Sequence, residues 1–236
     1  VTLAGVSNFY FFYMIGIFMV LYAAFEYFHI FEKRSLKDIG RWLAVFAGYS
    51  LIAVMMAAVV LLPVLIPLFG TQRFQAENYV PLLYDRIYYE KYLGCLIGEN
   101  MIQWGVAGYS AAAMAGVFVM FSKKKKYMSL KAGFLLLNIF LLIPFAGHVL
   151  NGFSYVSNRW IWAYGMMIAY ICVKIYPELF TLTIKEKRRI FVMTLIYSVA
   201  ALFWQVSRTE RNMMAVLVLI STSAVVLWFG SVDVGR

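Results

Sequence analysis

Acidic residues are scarce in this chain: 11 Asp and Glu stand against 21 Lys and Arg, and only 14% of the 236 residues are charged. A soluble domain carries roughly a quarter, so a water-covered globular surface is excluded. Cysteine is nearly absent. Cys95 and Cys172 are far apart, one in a loop and one inside an apolar segment, which excludes a cysteine metal cluster and argues against a disulfide. The two histidines, His29 and His148, fall at opposite ends of the span pattern and so do not share a site. No apolar segment alternates with period two, which leaves helices as the spanning element. A signal peptide and an initiating Met are missing as well. Val1 opens directly into an apolar segment, and the chain is expected to be an internal piece of a longer protein.

What is present is apolar. The chain is 64% hydrophobic and 18% aromatic, with a mean hydropathy of +0.79. Apolar runs of about 18 residues or more, divided by short charged stretches, indicate an all-α polytopic transmembrane bundle. About seven spans are expected: Asn8–Ile30, Trp42–Phe69, Gln103–Phe121, Gly133–Leu150, Trp160–Tyr176, Ile190–Val206 and Met213–Phe229. They form a single transmembrane domain over residues 1–236.

The basic residues orient it. Fourteen of the 21 lie in alternate loops: Lys33, Arg34, Lys37 and Arg41; Lys123–Lys126 with Lys131; and Lys174, Lys185, Lys187, Arg188 and Arg189. The positive-inside rule places those loops in the cytoplasm, with the first residue outside and the last inside. The net charge of +10 is thereby read as loop charge, and no nucleic-acid partner is expected. The quartet Lys123–Lys126 is read as a topology determinant, with an anionic-lipid site as the alternative.

The outer loop over residues 71–102 is too long for a simple turn. Within it, Tyr79–Ile97 reads as an interfacial helix. Tyr84, Tyr88 and Tyr92 recur at i, i+4 and i+8 on one face, which Leu83 and Ile87 broaden. Asp85, Glu90 and Glu99 are its candidate substrate-facing acids. The plainer reading is that they are solvated or pair with Arg86 and Lys91, and no spacing among them is diagnostic of acid–base work or of a metal.

The run from Asn151 to Trp162 is polar and aromatic and falls on the outer side. Gly152 permits a turn after Leu150, with His148 about one turn inside. Ser157 or Asn158 can cap the fifth span, which places Arg159 in its first turn. A helix N-terminus favours anions, and a guanidinium adds a fork for phosphate at headgroup depth. The alternative is that Arg159 snorkels to ordinary lipid phosphates while Trp160 and Trp162 serve as belt residues.

The opening run Asn8-Phe9-Tyr10-Phe11-Phe12-Tyr13-Met14 resembles the YfhO family of bacterial membrane proteins. So does the later pattern His148…Asn151-Gly152-Phe153-Ser154-Tyr155…Asn158-Arg159-Trp160. The resemblance covers the chain up to about Glu178. It implies a bacterial plasma-membrane protein similar to GT-C glycosyltransferases, which move a sugar from a polyprenyl-phosphate donor to a cell-envelope acceptor, such as a teichoic-type polymer, on the outer face. The partners so implied are membrane lipid and a lipid-linked sugar donor. No cofactor is identified. Carried over by position, Arg159 and Asn158 contact the donor phosphate, His148 and Asn151 bond sugar or phosphate, and Asn8 and Tyr10 line the cleft. The catalytic carboxylate of such enzymes lies in an outer loop that this sequence does not contain, so these residues alone are expected to be inactive. A transporter or flippase, or a scaffold that only binds envelope lipids, are the rival readings.

Overall fold

The computed structural model describes residues 2–3, 9–30, 36–69, 79–98, 105, 109–203 and 210–230. Every regular element among them is helical. In chain order these are α1 (Phe9–Ile30), α2 (Leu36–Phe69), α3 (Arg86–Cys95), α4 (Ala111–Ser122), α5 (Met128–Leu142), α6 (Pro144–Leu150), α7 (Trp162–Ile175), α8 (Ile184–Phe203) and α9 (Glu210–Phe229). Short 3₁₀ turns, Arg159–Ile161 and Tyr176–Phe180, flank α7. The chain forms two compact units, Val1–Val80 with His148–Tyr155, and Pro81–Gly147 with Val156–Arg236.

In the first unit α2 runs straight through Pro63 and Pro67. Its stretch Lys37–Pro67 is 31 residues long, roughly 46 Å of helix, and almost none of its apolar surface is covered by protein. Its length and composition are those of a helix that crosses a membrane. Tyr27 of α1 packs on Trp42, which stacks on Phe46 with ring centroids 5.7 Å apart.

Each of the seven expected spans contains helix, but among the described residues only Lys37–Pro67 is by itself long and apolar enough to cross a membrane. A second candidate is α5 with α6, taken as one broken span. The helix expected from Gln103 begins at Ala111, where the Ser110 hydroxyl caps it by accepting from the Ala112 amide.

The second unit is built around α4, which is apolar all round and buried on nearly every side. It packs against α7, α8 and α9, and α8 lies along α9. Gly116 lets α4 close on α7: a Cβ there would lie 3.1 Å from Cys172 Sγ and 3.2 Å from an Ile175 methyl. Small residues at helix interfaces serve this purpose. Thr194 of α8 donates to Ser223 of α9 at 3.0 Å, a polar tie in an apolar interface. Both cysteines are free thiols.

The expected fourth span is broken. Ile143, forced extended by the following proline, separates α5 from α6, and the two meet at a 97° bend. Pro144 serves as the first residue of α6, where its missing N–H costs nothing. The break strips Leu141 and Leu142 of the amides that a continuous helix would offer them. Tyr88 donates to the Leu141 carbonyl at 2.5 Å and Tyr89 to the Leu142 carbonyl at 3.0 Å. Irregular backbone away from water persists only when such donors are supplied.

Those tyrosines revise the reading of the outer helix. The helix expected over Tyr79–Ile97 begins only at Arg86: Tyr88 and Tyr92 share one face of α3, Tyr84 stacks on Tyr88 from the segment before it, and all three are buried within the protein. Leu83 and Ile87 do not broaden it: both are exposed. The hydroxyls decide this, because α5 and Asn138 offer them acceptors that an apolar slab does not.

The lysine quartet, read from sequence as a topology determinant, also makes structural ion pairs. Lys123 bridges Glu178 and Glu186, each at 3.0 Å, and donates to the Thr181 carbonyl at 3.3 Å. Lys126 also pairs with Glu178, whose carboxylate accepts from Tyr127 at 2.9 Å. The Lys131 ammonium is buried against the Lys123 and Lys124 carbonyls, and Arg189 donates to the Ser122 carbonyl at 2.7 Å. This cluster ties the α4–α5 loop to the start of α8. Lys124 and Lys125 remain exposed. Burial pushes the Glu178 carboxyl up, but bonds from Lys126, Lys123 and Tyr127 outweigh it and hold it at about 2.

Two outcomes are expected. Replacing Tyr88 with Phe leaves a carbonyl unpaired and should cost about 1–3 kcal/mol, whereas Tyr79→Phe, at a solvent-exposed ring, should cost nothing measurable. Denaturant unfolding in detergent compares them, and equal stabilities would refute the capping role. Glu178 has a folded value below its ordinary 4.5. Its stabilisation is therefore complete above that value and lost as pH falls through about 2. Glu178→Gln should flatten the melting temperature across this acid window. An unchanged acid profile would show that the cluster contributes nothing.

Candidate functional site: a buried amide beside an exposed arginine

Asn158 is completely buried. Its Nδ2 donates to the Tyr88 hydroxyl at 2.9 Å, and its Oδ1 accepts from Trp160 Nε1 at 3.2 Å and from the Tyr84 hydroxyl at 3.4 Å. Because the Tyr88 hydroxyl in turn donates a hydrogen bond to the Leu141 carbonyl, one hydrogen-bonded chain runs from the Asn158 amide to the broken end of α5. The rings of Tyr84 and Tyr88 stack with centroids 3.9 Å apart, and Trp160 meets Phe140 edge to face.

Two glycines make room for this hub. A Cβ at Gly105 would sit 2.7 Å from the Asn158 carbonyl oxygen. A Cβ at Gly147 would sit 3.0 Å from Asn158 Oδ1 and 3.2 Å from the Tyr84 hydroxyl. A second layer follows: Asn138 Oδ1 accepts from both Tyr92 and Tyr164, while its Nδ2 donates to the Phe134 carbonyl at 2.7 Å. Burial pushes the Tyr84 hydroxyl up to about 12, the Asn158 bond opposing and Tyr89 adding to the shift. Burial likewise raises Tyr88 and Tyr92 well above the ordinary value. These hydroxyls are permanent donors at neutral pH, not bases.

Arg159 follows directly and is exposed. It opens the 3₁₀ turn Arg159–Ile161, and the α-helix begins only at Trp162. The expected cap takes a different form. Asn158 occupies the capping position but spends its side chain on the tyrosines, while the Ser157 hydroxyl accepts from the Arg159 amide at 3.4 Å. The chain therefore anchors at Asn158 and turns Arg159 outward. Trp160, expected in an aromatic belt, is instead fully buried.

His148 and Asn151 belong to a local turn in the first unit. His148 Nδ1 meets the Ser154 carbonyl at 2.5 Å and so carries the proton there. Asn151 Nδ2 donates to the Tyr155 carbonyl at 2.7 Å. Gly152 adopts φ 70° and Phe153 φ 56°, the left-handed turn that glycine permits and that strains a phenylalanine. The Phe153 ring stands edge-on to the His148 ring. Both polar side chains thus hold the turn, in addition to whatever else they contact.

Of the outer acids, Glu90 pairs with Arg86 at 2.6 Å, Asp85 is exposed at the start of α3, and Glu99 lies outside the described residues. Asn8 lies outside them as well; Tyr10 is on α1, but its side chain is not described. Among the described residues no group of His, Cys, Asp and Glu is arranged to hold a metal. The tyrosine spacing was legible from sequence, whereas the roles of Gly105, Gly147 and Asn138 carried no local signal.

No curated protein and no solved structure matches the chain. The family described as bacterial membrane protein YfhO matches residues 1–232, well past Glu178 where the motifs fade. An apolar helix of 31 residues agrees with that description, and the chain belongs to the YfhO family of bacterial membrane proteins.

Proposed function

We propose that this chain is the donor-holding part of a GT-C-like glycosyltransferase that takes a sugar from a polyprenyl phosphate and passes it to a cell-envelope acceptor on the outer face. The proposal includes the seven-span topology with the basic loops in the cytoplasm. The observation that carries it is the Asn158–Arg159 corner: a buried, fully bonded amide fixes the backbone, and the next residue presents a guanidinium outward. A positioned cation of this kind stabilises the charge that gathers on a lipid-phosphate leaving group. Asn158 is assigned a positioning role, because its side-chain amide is enclosed by tyrosines and Trp160. Arg159 is assigned the phosphate contact. His148 and Asn151 are assigned hydrogen bonds to sugar or phosphate from their own turn. Among the described acids of the loop, Asp85, just before α3, is exposed and is assigned to face substrate.

A transporter or flippase is the second reading. The break between α5 and α6 favours it, because transporters build their sites from discontinuous helices. Substrate movement without sugar transfer would support that reading over ours.

The test uses the full-length protein and a labelled polyprenyl-phosphate sugar in proteoliposomes. Arg159→Ala should lower transfer by about 100-fold or more while insertion and melting temperature hold, and Arg159→Lys should recover part of the loss. Transfer unchanged in Arg159→Ala would end the assignment. Asn158→Ala removes partners from three buried groups, so it should lower stability by about 1–3 kcal/mol and reduce transfer as well. A stable Asn158→Ala protein with normal transfer would remove the positioning role.

A further inference from the structure

The first unit carries a groove that the proposed transfer does not use. It is about 330 Å³ in volume and is lined by Met19 of α1 and by Trp42, Val45, Phe46, Tyr49 and Ser50 of α2. That size is within the range of sites that hold small ligands. Its wall is held in place, because Trp42 stacks on Phe46 and also packs against Tyr27.

Helical periodicity relates the groove to charge. Lys37, Arg41, Val45 and Tyr49 recur every four residues and form one ridge of α2. Val45 and Tyr49 line the groove, and Arg41 and Lys37 continue the ridge toward the start of α2. Arg41 is exposed one turn past Val45. Asp38 heads the neighbouring ridge of Trp42 and Phe46, and the preceding sequence holds Glu32, Lys33 and Arg34. The end of α2 is therefore net basic. Trp42 to Ser50 spans roughly 12 Å of helix, close to the depth of one leaflet's hydrocarbon. An apolar channel of leaflet depth that opens on a cationic ridge matches one kind of molecule.

We propose that this groove holds the acyl chain of a resident anionic phospholipid whose headgroup phosphate sits on Arg41, with Lys37 adding charge. The lipid belongs to the leaflet that contains the start of α2, so the site is independent of the outer-face chemistry assigned to Arg159.

Native mass spectrometry of the full-length protein in mild detergent tests this. Phosphatidylglycerol, phosphatidylethanolamine and phosphatidylcholine with matched chains are added together. Phosphatidylglycerol should be retained over the other two by about fivefold, and Arg41→Ala should abolish that preference, since one basic residue at an anionic lipid surface is worth about that factor. Val45→Trp fills the groove from an exposed position and should lower retention of all three lipids without changing the melting temperature. Equal retention of the three lipids, or a preference that survives Arg41→Ala, overturns the proposal. A dimer mass that Val45→Trp dissociates also overturns it, by giving the groove to a second copy. If Val45→Trp does not fold, Arg41→Ala decides alone, because that side chain projects from the surface.

Discussion

The second unit depends on how an interrupted helix satisfies its backbone away from water. Pro144 ends α5 and frees the Leu141 and Leu142 carbonyls. In an apolar medium each unpaired carbonyl costs free energy on the scale of a whole hydrogen bond. Two adjacent hydroxyls, Tyr88 and Tyr89, meet this demand from a different element. The position of α3, the burial of its tyrosine face and the anchoring of Asn158 all follow from it. Because Tyr88 accepts from Asn158 while donating to Leu141, the amide corner and the helix break form one cooperative network.

The other end of the second unit solves a different problem with the opposite chemistry. Glu178 and Glu186 gather Lys123 and Lys126, and backbone carbonyls take up Lys131 and Arg189. Exposed pairs of this kind are worth little singly. Here the carboxylates are largely covered, Lys123 is shared between Glu178 and Glu186, and Glu178 takes two lysines, so the charges act as a set. The lysines read from sequence as a topology signal close the loop between α4 and α5. One end of the unit is thus held by neutral hydroxyls and amides, and the other by a charge network.

The motif Asn158-Arg159-Trp160 divides its labour accordingly. The first and third side chains are buried and bonded to each other, and the second is exposed. A three-residue 3₁₀ turn allows this alternation: it places Asn158 and Trp160 inward and Arg159 outward before the α-helix begins. Close approach at Gly105 and Gly147 permits the burial. A rigid shell behind one outward charge is the arrangement that electrostatic stabilisation requires.

Much of the fold was legible without coordinates. The apolar runs fixed the helices, because period and length are local properties, and the tyrosine register on α3 followed from helical geometry. A turn at Gly152 was legible from the residue type alone, and its left-handed φ of 70° came from the structure. Other features needed the tertiary structure. Which face of α3 is buried depended on carbonyls some 50 residues away in sequence, at Leu141 and Leu142. The break between α5 and α6 depended on donors being available to cap it. Asn158 read as a ligand-facing amide because a single sequence shows a polar group near a helix start and not the partners that enclose it. Hydrophobic periodicity is written residue by residue; the pairing of buried polar groups is decided only when distant segments meet.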